Sequence, residues 1–158
     1  MSLYFTISGW RRADGWLNLG RYDALLSISD VGCENRPIGR CNKTLLLNLD
    51  DTWPGRKESW LPATHDQIAT ICNFSRIIKD HTMVLCHCGR GRSRSTAAAI
   101  IMLIARGIAP EAACKAVFAA CPKATPNGWM LHLMEGMFPY HTIRKHCFGR
   151  SKGPEVFP

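Results

Sequence analysis

The 158 residues are enough for one domain with a substantial core, since domains run to roughly 150 residues. Apolar side chains make up 46% and charged ones 20%, which excludes the composition of a disordered chain. Twenty Lys and Arg against twelve Asp and Glu leave +8, a balance that favours anionic partners: phosphorylated molecules, nucleic acid or acidic lipid surfaces.

Leu3 to Ser8 and Ala24 to Ile28 are short apolar runs and read as strands, the second stopped by Ser29-Asp30-Val31-Gly32. Thr44 to Leu49 is a third strand; it runs into Asp50-Asp51 and a loop rich in Pro, Gly and Trp that lasts to Pro62. Thr64 and Gln67 form a capping box, and apolar residues at helical spacing from Ile68 to Ile78 predict a helix over about 65–79. Met83 to Cys86 is an apolar run too short for a helix and well placed as a buried parallel strand. Ala97 to Arg106 is apolar all round and closes on Gly107, the pattern of a helix in the centre of a domain. Pro110-Glu111 opens another helix that Pro122 ends, and Asn127 caps a last one over Gly128 to Phe138. Arg144 to Lys152 reads as a basic, solvated tail. The alternation implies an α/β domain: a central, mostly parallel sheet of four to five strands with helices on both faces.

The longest apolar run, Ala97 to Ala105, is nine residues, against the roughly 20 that span a bilayer. Arg11-Arg12 follows the first apolar stretch, the reverse of a secretory leader, so a cytoplasmic location and reduced thiols are expected for the eight cysteines. Cys86-His87-Cys88 has the look of half a metal site. With no second cluster at ligand spacing to complete four ligands, neither a metal nor a cofactor is expected.

The segment His87-Cys88-Gly89-Arg90-Gly91-Arg92-Ser93-Arg94-Ser95 lies between a buried strand and a buried helix. Such a loop exposes successive backbone N–H groups and the positive end of the helix dipole, a ready cradle for phosphate. The glycines at 89 and 91 allow the tight path. A cysteine at the bottom of the cradle is a nucleophilic thiolate, stabilised by the same N–H groups. Cys88, at the strand end, fits that place; Cys86, which stands at the same spacing from Arg92, lies within the strand as a core thiol. Arg94 can offer two phosphate oxygens its guanidinium fork. Ser95 can hydrogen-bond the departing thiolate, and His87 can brace the loop; the plainer readings are a first-turn serine and a buried histidine.

This segment resembles the cysteine-dependent protein tyrosine phosphatase superfamily, whose signature is His-Cys, five residues, Arg, then Ser or Thr. It is similar to the compact dual-specificity branch and to small bacterial and phage phosphatases, with Gly91, Ser93, Arg94 and Ser95 in the places of that loop. Pro122 to Leu133, with Pro126-Asn127, is similar to the branch's Pro-Asn segment, although Cys121 stands where an Arg is usual. The resemblance covers about Tyr22 to Phe138. It implies a single phosphatase domain over 1–140 followed by a basic tail over 141–158.

The resemblance also implies the roles. Cys88 is the nucleophile and Arg94 the phosphate ligand, assisted by Ser95 and His87; Gly89, Arg90, Gly91, Arg92 and Ser93 complete the phosphate-binding loop. The general acid is Asp51, 37 residues upstream of Cys88, with Asp50 as rival. Trp53-Pro54 is followed by Gly55, not by the Asp of the larger tyrosine phosphatases. The expected substrate is a phosphoprotein, cleaved by a tyrosine or dual-specificity phosphatase without metal. Arg90, in place of the usual Ala, makes the loop similar to those of inositol-polyphosphate and phosphoinositide phosphatases, a second reading. The competing view of Arg90 and Arg92 is that they simply face solvent. A non-catalytic phosphate-recognition module is the third reading, and nucleic acid is the less expected partner.

Overall fold

The computed structural model describes residues 3–9, 12–13, 15, 22–33, 41–138 and 143–148. Four strands, β1 (Tyr4–Gly9), β2 (Ala24–Ser29), β3 (Lys43–Asn48) and β4 (Met83–Cys88), form one sheet in the order β1-β4-β2-β3. Among the described residues every pairing is parallel, and the four strands match the lower of the two expected counts. Parallel strands need crossovers; α1 (His65–Ile77) lies in the one from β3 to β4, and α2 (Arg94–Ala105), α3 (Pro110–Ala120), α4 (Gly128–Met137) and α5 (Ile143–Phe148) follow the last strand.

Side chains alternate across the two central strands. Ala24, Leu26 and Ile28 of β2 and Val84, Cys86 and Cys88 of β4 face the main core, which the five helices share. Leu25 and Leu85 point the other way, to a smaller cluster with Ala13 and Tyr22. Arg12, Ala13 and Gly15 have helical backbone there, and the rest of that segment lies outside the described residues. α2 runs through the centre: every side chain from Arg94 to Ile104 is buried, which is why its sequence is apolar on all sides. It begins three residues before the apolar run, because its first turn carries Arg94, Ser95 and Thr96, which serve the loop ahead of it. The Thr64–Gln67 capping box forms as expected at the head of α1, and Gln67 Nε2 also donates to the Asn48 carbonyl (2.9 Å), tying that helix to the end of β3.

The reading of residues 144–152 as a solvated extension is corrected over 144–148. Residues 143–148 form α5, with Ile143 fully buried, and Arg144 donates from its backbone N (2.9 Å) and Nε (2.7 Å) to the buried Glu135 carboxylate of α4. Ile143 and Cys147 stand four apart, one helical turn, and that interrupted apolar stripe is the signal the run of bases obscures. Residues 149–158 lie outside the described residues. Among the described residues no helix is long and apolar enough to cross a membrane.

Candidate active site

The carboxyl ends of all four strands meet at one edge of the sheet, where parallel α/β folds place their ligands. Gly9 ends β1 opposite Cys88 in register; Asp30 follows β2; Leu49, Asp50 and Asp51 follow β3; Cys88 ends β4 and opens the loop 89–93. The strand continues two residues past the apolar run, so His87 and Cys88 are still in sheet register, His87 between Ser8 and Ser27.

The loop is forced into its path by contact with β1. Gly91 has φ +69°, and a Cβ there would sit 2.2 Å from the Ser8 carbonyl carbon, so no residue with a side chain fits. On the outside, Thr125 N donates to the Arg92 carbonyl (2.8 Å), Asn127 N to the Ser93 carbonyl (3.3 Å), and Thr96 Oγ1 contacts both carbonyls (2.6 and 2.8 Å). With the carbonyls of 92 and 93 turned to these donors, the loop's N–H groups are left for an anion.

Cys88 is 1% exposed, and its Sγ lies 3.3 Å from Ser95 Oγ in the first turn of α2. Cys86 lies two residues back in the strand and is fully buried; burial pushes its thiol well above the usual range, and the neighbouring Cys88 adds to that. A thiol so disfavoured as thiolate is an inert core residue. His87 points to the opposite face from the two cysteines, so the three do not form one ligand set. Among the described residues there is no cluster of three or more His, Cys, Asp or Glu side chains able to hold a metal ion.

Arg94 is buried, and its Nη1 is held from one side by the Leu49 carbonyl (2.5 Å) and by Asp30 Oδ1 (2.6 Å). Its Nε has no hydrogen-bond partner among the described residues, and Nη2 lies beneath Gly89, within 3.5 Å of where a Cβ would stand. One edge of the guanidinium is therefore anchored and the other is turned to the loop, ready for an oxyanion. Asp30 is a site residue that the sequence pattern does not reveal. The available signal was its place directly after a central strand, whose end must lie beside the loop that follows β4.

The two candidate acids separate clearly. Asp50 accepts from Val31 N (3.1 Å) and Leu61 N (2.8 Å), so both of its oxygens fasten backbone loops. Asp51 reaches the loop 89–93: its Oδ1 accepts from Ser93 Oγ (2.6 Å) and from Asn127 Nδ2 (2.8 Å). Ser93 thus gives its hydroxyl to Asp51 and not to the cap of α2, where no side-chain cap bond is present. Asn127 does two things at once, since its Oδ1 also accepts from Met130 N (2.9 Å) as the cap of α4.

Around this centre the rim is basic. Arg90 and Arg92 are exposed, and Arg56 lies over the Trp53 ring at 4.4 Å and the Trp60 ring at 5.8 Å, with Lys57 over Trp60 at 4.4 Å. These stacks, with the Asp50–Leu61 bonds at its base, give the 52–62 loop a fixed form. Cys121, in the place of the usual Arg, puts its Sγ 3.7 Å from the Gly91 carbonyl.

No known family profile matches the chain, and no curated protein is similar to it in sequence. Solved structures do share its fold. Human DUSP28 superposes with a TM-score of 0.63 at 18% identity, covering 84% of this chain and 89% of its own. The PTP-2 phosphatase of Cydia pomonella gives 0.63 at 20% identity over 84% of each chain. The human tyrosine phosphatase-like serine/threonine/tyrosine-interacting protein gives 0.59 at 16% identity, over 84% of this chain and 89% of its own. The chain therefore has the fold of the compact dual-specificity and tyrosine phosphatases, as the resemblance of its loop implied.

Proposed function

We propose that this chain, folded as the dual-specificity phosphatases are, hydrolyses phosphomonoesters through a cysteinyl-phosphate intermediate. The observation that carries the reading is the convergence of a nucleophile, an anchored arginine and an acid on one loop. Asp51, from 37 residues upstream, is tied to Ser93 of the very loop that Cys88 opens.

In the first step the Cys88 thiolate attacks phosphorus in line, forming the S–P bond as the ester O–P bond breaks. Asp51 gives the leaving oxygen its proton from Oδ2, the oxygen without a partner among the described residues, while Ser93 and Asn127 hold Oδ1. The loop N–H groups and the free edge of Arg94 carry the charge on the equatorial oxygens. In the second step water attacks phosphorus, its proton goes to Asp51, the S–P bond breaks, and Ser95 Oγ hydrogen-bonds the departing thiolate. His87, Gly89 and Gly91 shape the cradle.

Phosphoproteins are the first substrate class. A polyphosphorylated small molecule is the second, favoured by the exposure of Arg90 and Arg92 on the same loop. The test is turnover of p-nitrophenyl phosphate by Cys88→Ser and Cys86→Ser. Cys88→Ser should abolish it and still bind vanadate, whereas Cys86→Ser should keep most of it. An inactive Cys86→Ser beside an active Cys88→Ser would overturn the reading.

A further inference from the structure

Away from the phosphate loop, Cys114 of α3 and Cys147 of α5 face each other with their Sγ atoms 2.7 Å apart. Cys114 is 2% exposed and Cys147 half-buried, so one thiol is sheltered and the other open to a small reagent. α5 is six residues long, too short to persist by itself, and rests on the burial of Ile143 and the Arg144–Glu135 pair. We propose that Cys114 and Cys147 are a reversible disulfide site that fastens α5 to α3.

The chemistry needs an oxidant of the low-molecular-weight disulfide class, for which glutathione disulfide serves. The Cys147 sulfur attacks it, forming a mixed disulfide and releasing one glutathione, which takes up the proton. The Cys114 sulfur then attacks the Cys147 sulfur, the S–S bond between the helices forms, and the second glutathione leaves with the Cys114 proton. Two protein thiols are oxidised and one external disulfide is reduced. In the reduced pair the hydrogen bond from Cys147 favours the thiolate of Cys114, although burial works against it, and the same contact disfavours the thiolate of Cys147, whose greater exposure makes it the sulfur that the oxidant reaches.

The two cysteines are 33 positions apart, and the closed loop contains α4, so the bond removes freedom from the unfolded chain as well as holding α5. It also braces α4, which Arg144 of α5 grips at Glu135 and whose cap, Asn127, holds Asp51.

The experiment uses the whole chain carrying Cys88→Ser, so that the loop thiol takes no part, incubated with glutathione disulfide and then with dithiothreitol. Peptide mapping should join Cys114 to Cys147, both should resist alkylation, and Tm should rise by about 5–10 °C and return on reduction. Cys147→Ser and Cys114→Ala, added singly, should remove the rise. In the otherwise unaltered chain under reductant, the same two changes should leave p-nitrophenyl phosphate turnover unchanged. A map joining other cysteines, free alkylation of both thiols after oxidation, or a formed 114–147 bond with no change in Tm would each overturn the proposal. The three readouts that would overturn it, the map, the alkylation and the Tm, do not depend on phosphatase activity.

Discussion

Two adjacent carboxylates, Asp50 and Asp51, do unlike work, and substitution should separate them. Asp51→Asn should slow hydrolysis of esters with poor leaving groups by about 10²- to 10⁴-fold and flatten the basic limb of the pH profile, with Tm nearly unchanged. Asp50→Asn places an NH2 against one of the donors from Val31 and Leu61, leaving that N–H without an acceptor at a cost of about 1–3 kcal/mol. Tm should fall by several degrees while turnover per folded molecule changes far less. Steady-state kinetics beside thermal melts decides the matter, and the opposite ranking would give the acid role to Asp50. Asp30 is a third case, acting through Arg94. Asp30→Ala should lower kcat/KM by roughly tenfold as the guanidinium loses half of its anchor, and Asp30→Asn, which keeps an acceptor oxygen, should recover part of the loss. Equal activity of all three chains would remove Asp30 from the site. Cys88, Arg94 and Ser95 could be read along the sequence because they are consecutive parts of one loop. Asp30 could not, because only the neighbouring of β2 and β4 brings it to Arg94 across 64 positions.

At the scale of elements, α4 shows how a helix cap can double as site architecture. Asn127 accepts from Met130 N and donates to Asp51, two bonds from opposite ends of one amide. Asp and Asn cap helices about equally well, so Asn127→Asp should keep Tm within a few degrees. It also sets a carboxylate against Asp51 in place of a donor, so turnover should fall at least tenfold, with the loss growing as pH rises and both groups ionise. Thermal melts and a kcat profile over pH check this; a loss of stability with kcat intact would make Asn127 a cap alone. The sequence exposed this element because Asn before a short apolar stripe is a start signal, as Thr64 and Gln67 are for α1. It hid the partner of the amide, since a cap predicts a bond to its own helix and nothing beyond. Helix α2 was legible for its apolar run but not for its first turn, where Arg94, Ser95 and Thr96 are buried beside the loop against the usual preference of polar residues for solvent. α5 went unread because Arg144, Lys145 and His146 interrupt its apolar stripe, and burial of Ile143 against the neighbouring helices outweighs their pull toward water.

Over the whole molecule the charge is uneven in its use. Arg94, Arg106, Lys115 and Arg144 stand in ion pairs with Asp30, Asp80, Glu111 and Glu135, which contribute nothing to the net +8, whereas Arg90 and Arg92 are exposed on the loop after β4. Exposed charges act over about 8 Å at physiological ionic strength, far enough to reach a second anionic group on a substrate whose first phosphate sits in the cradle. p-Nitrophenyl phosphate has no such group and tests the cradle alone. The double change Arg90→Ala with Arg92→Ala should therefore cut kcat/KM for an inositol polyphosphate by about tenfold or more and leave p-nitrophenyl phosphate within about threefold. Raising the salt should mimic the double change on the polyanion in the unaltered chain and do little in the altered one, because screening removes the same attraction. If the two substrates lose equally, with no difference in salt response, the arginines support the loop's shape, and phosphoproteins with a single phosphate stand as the substrate class.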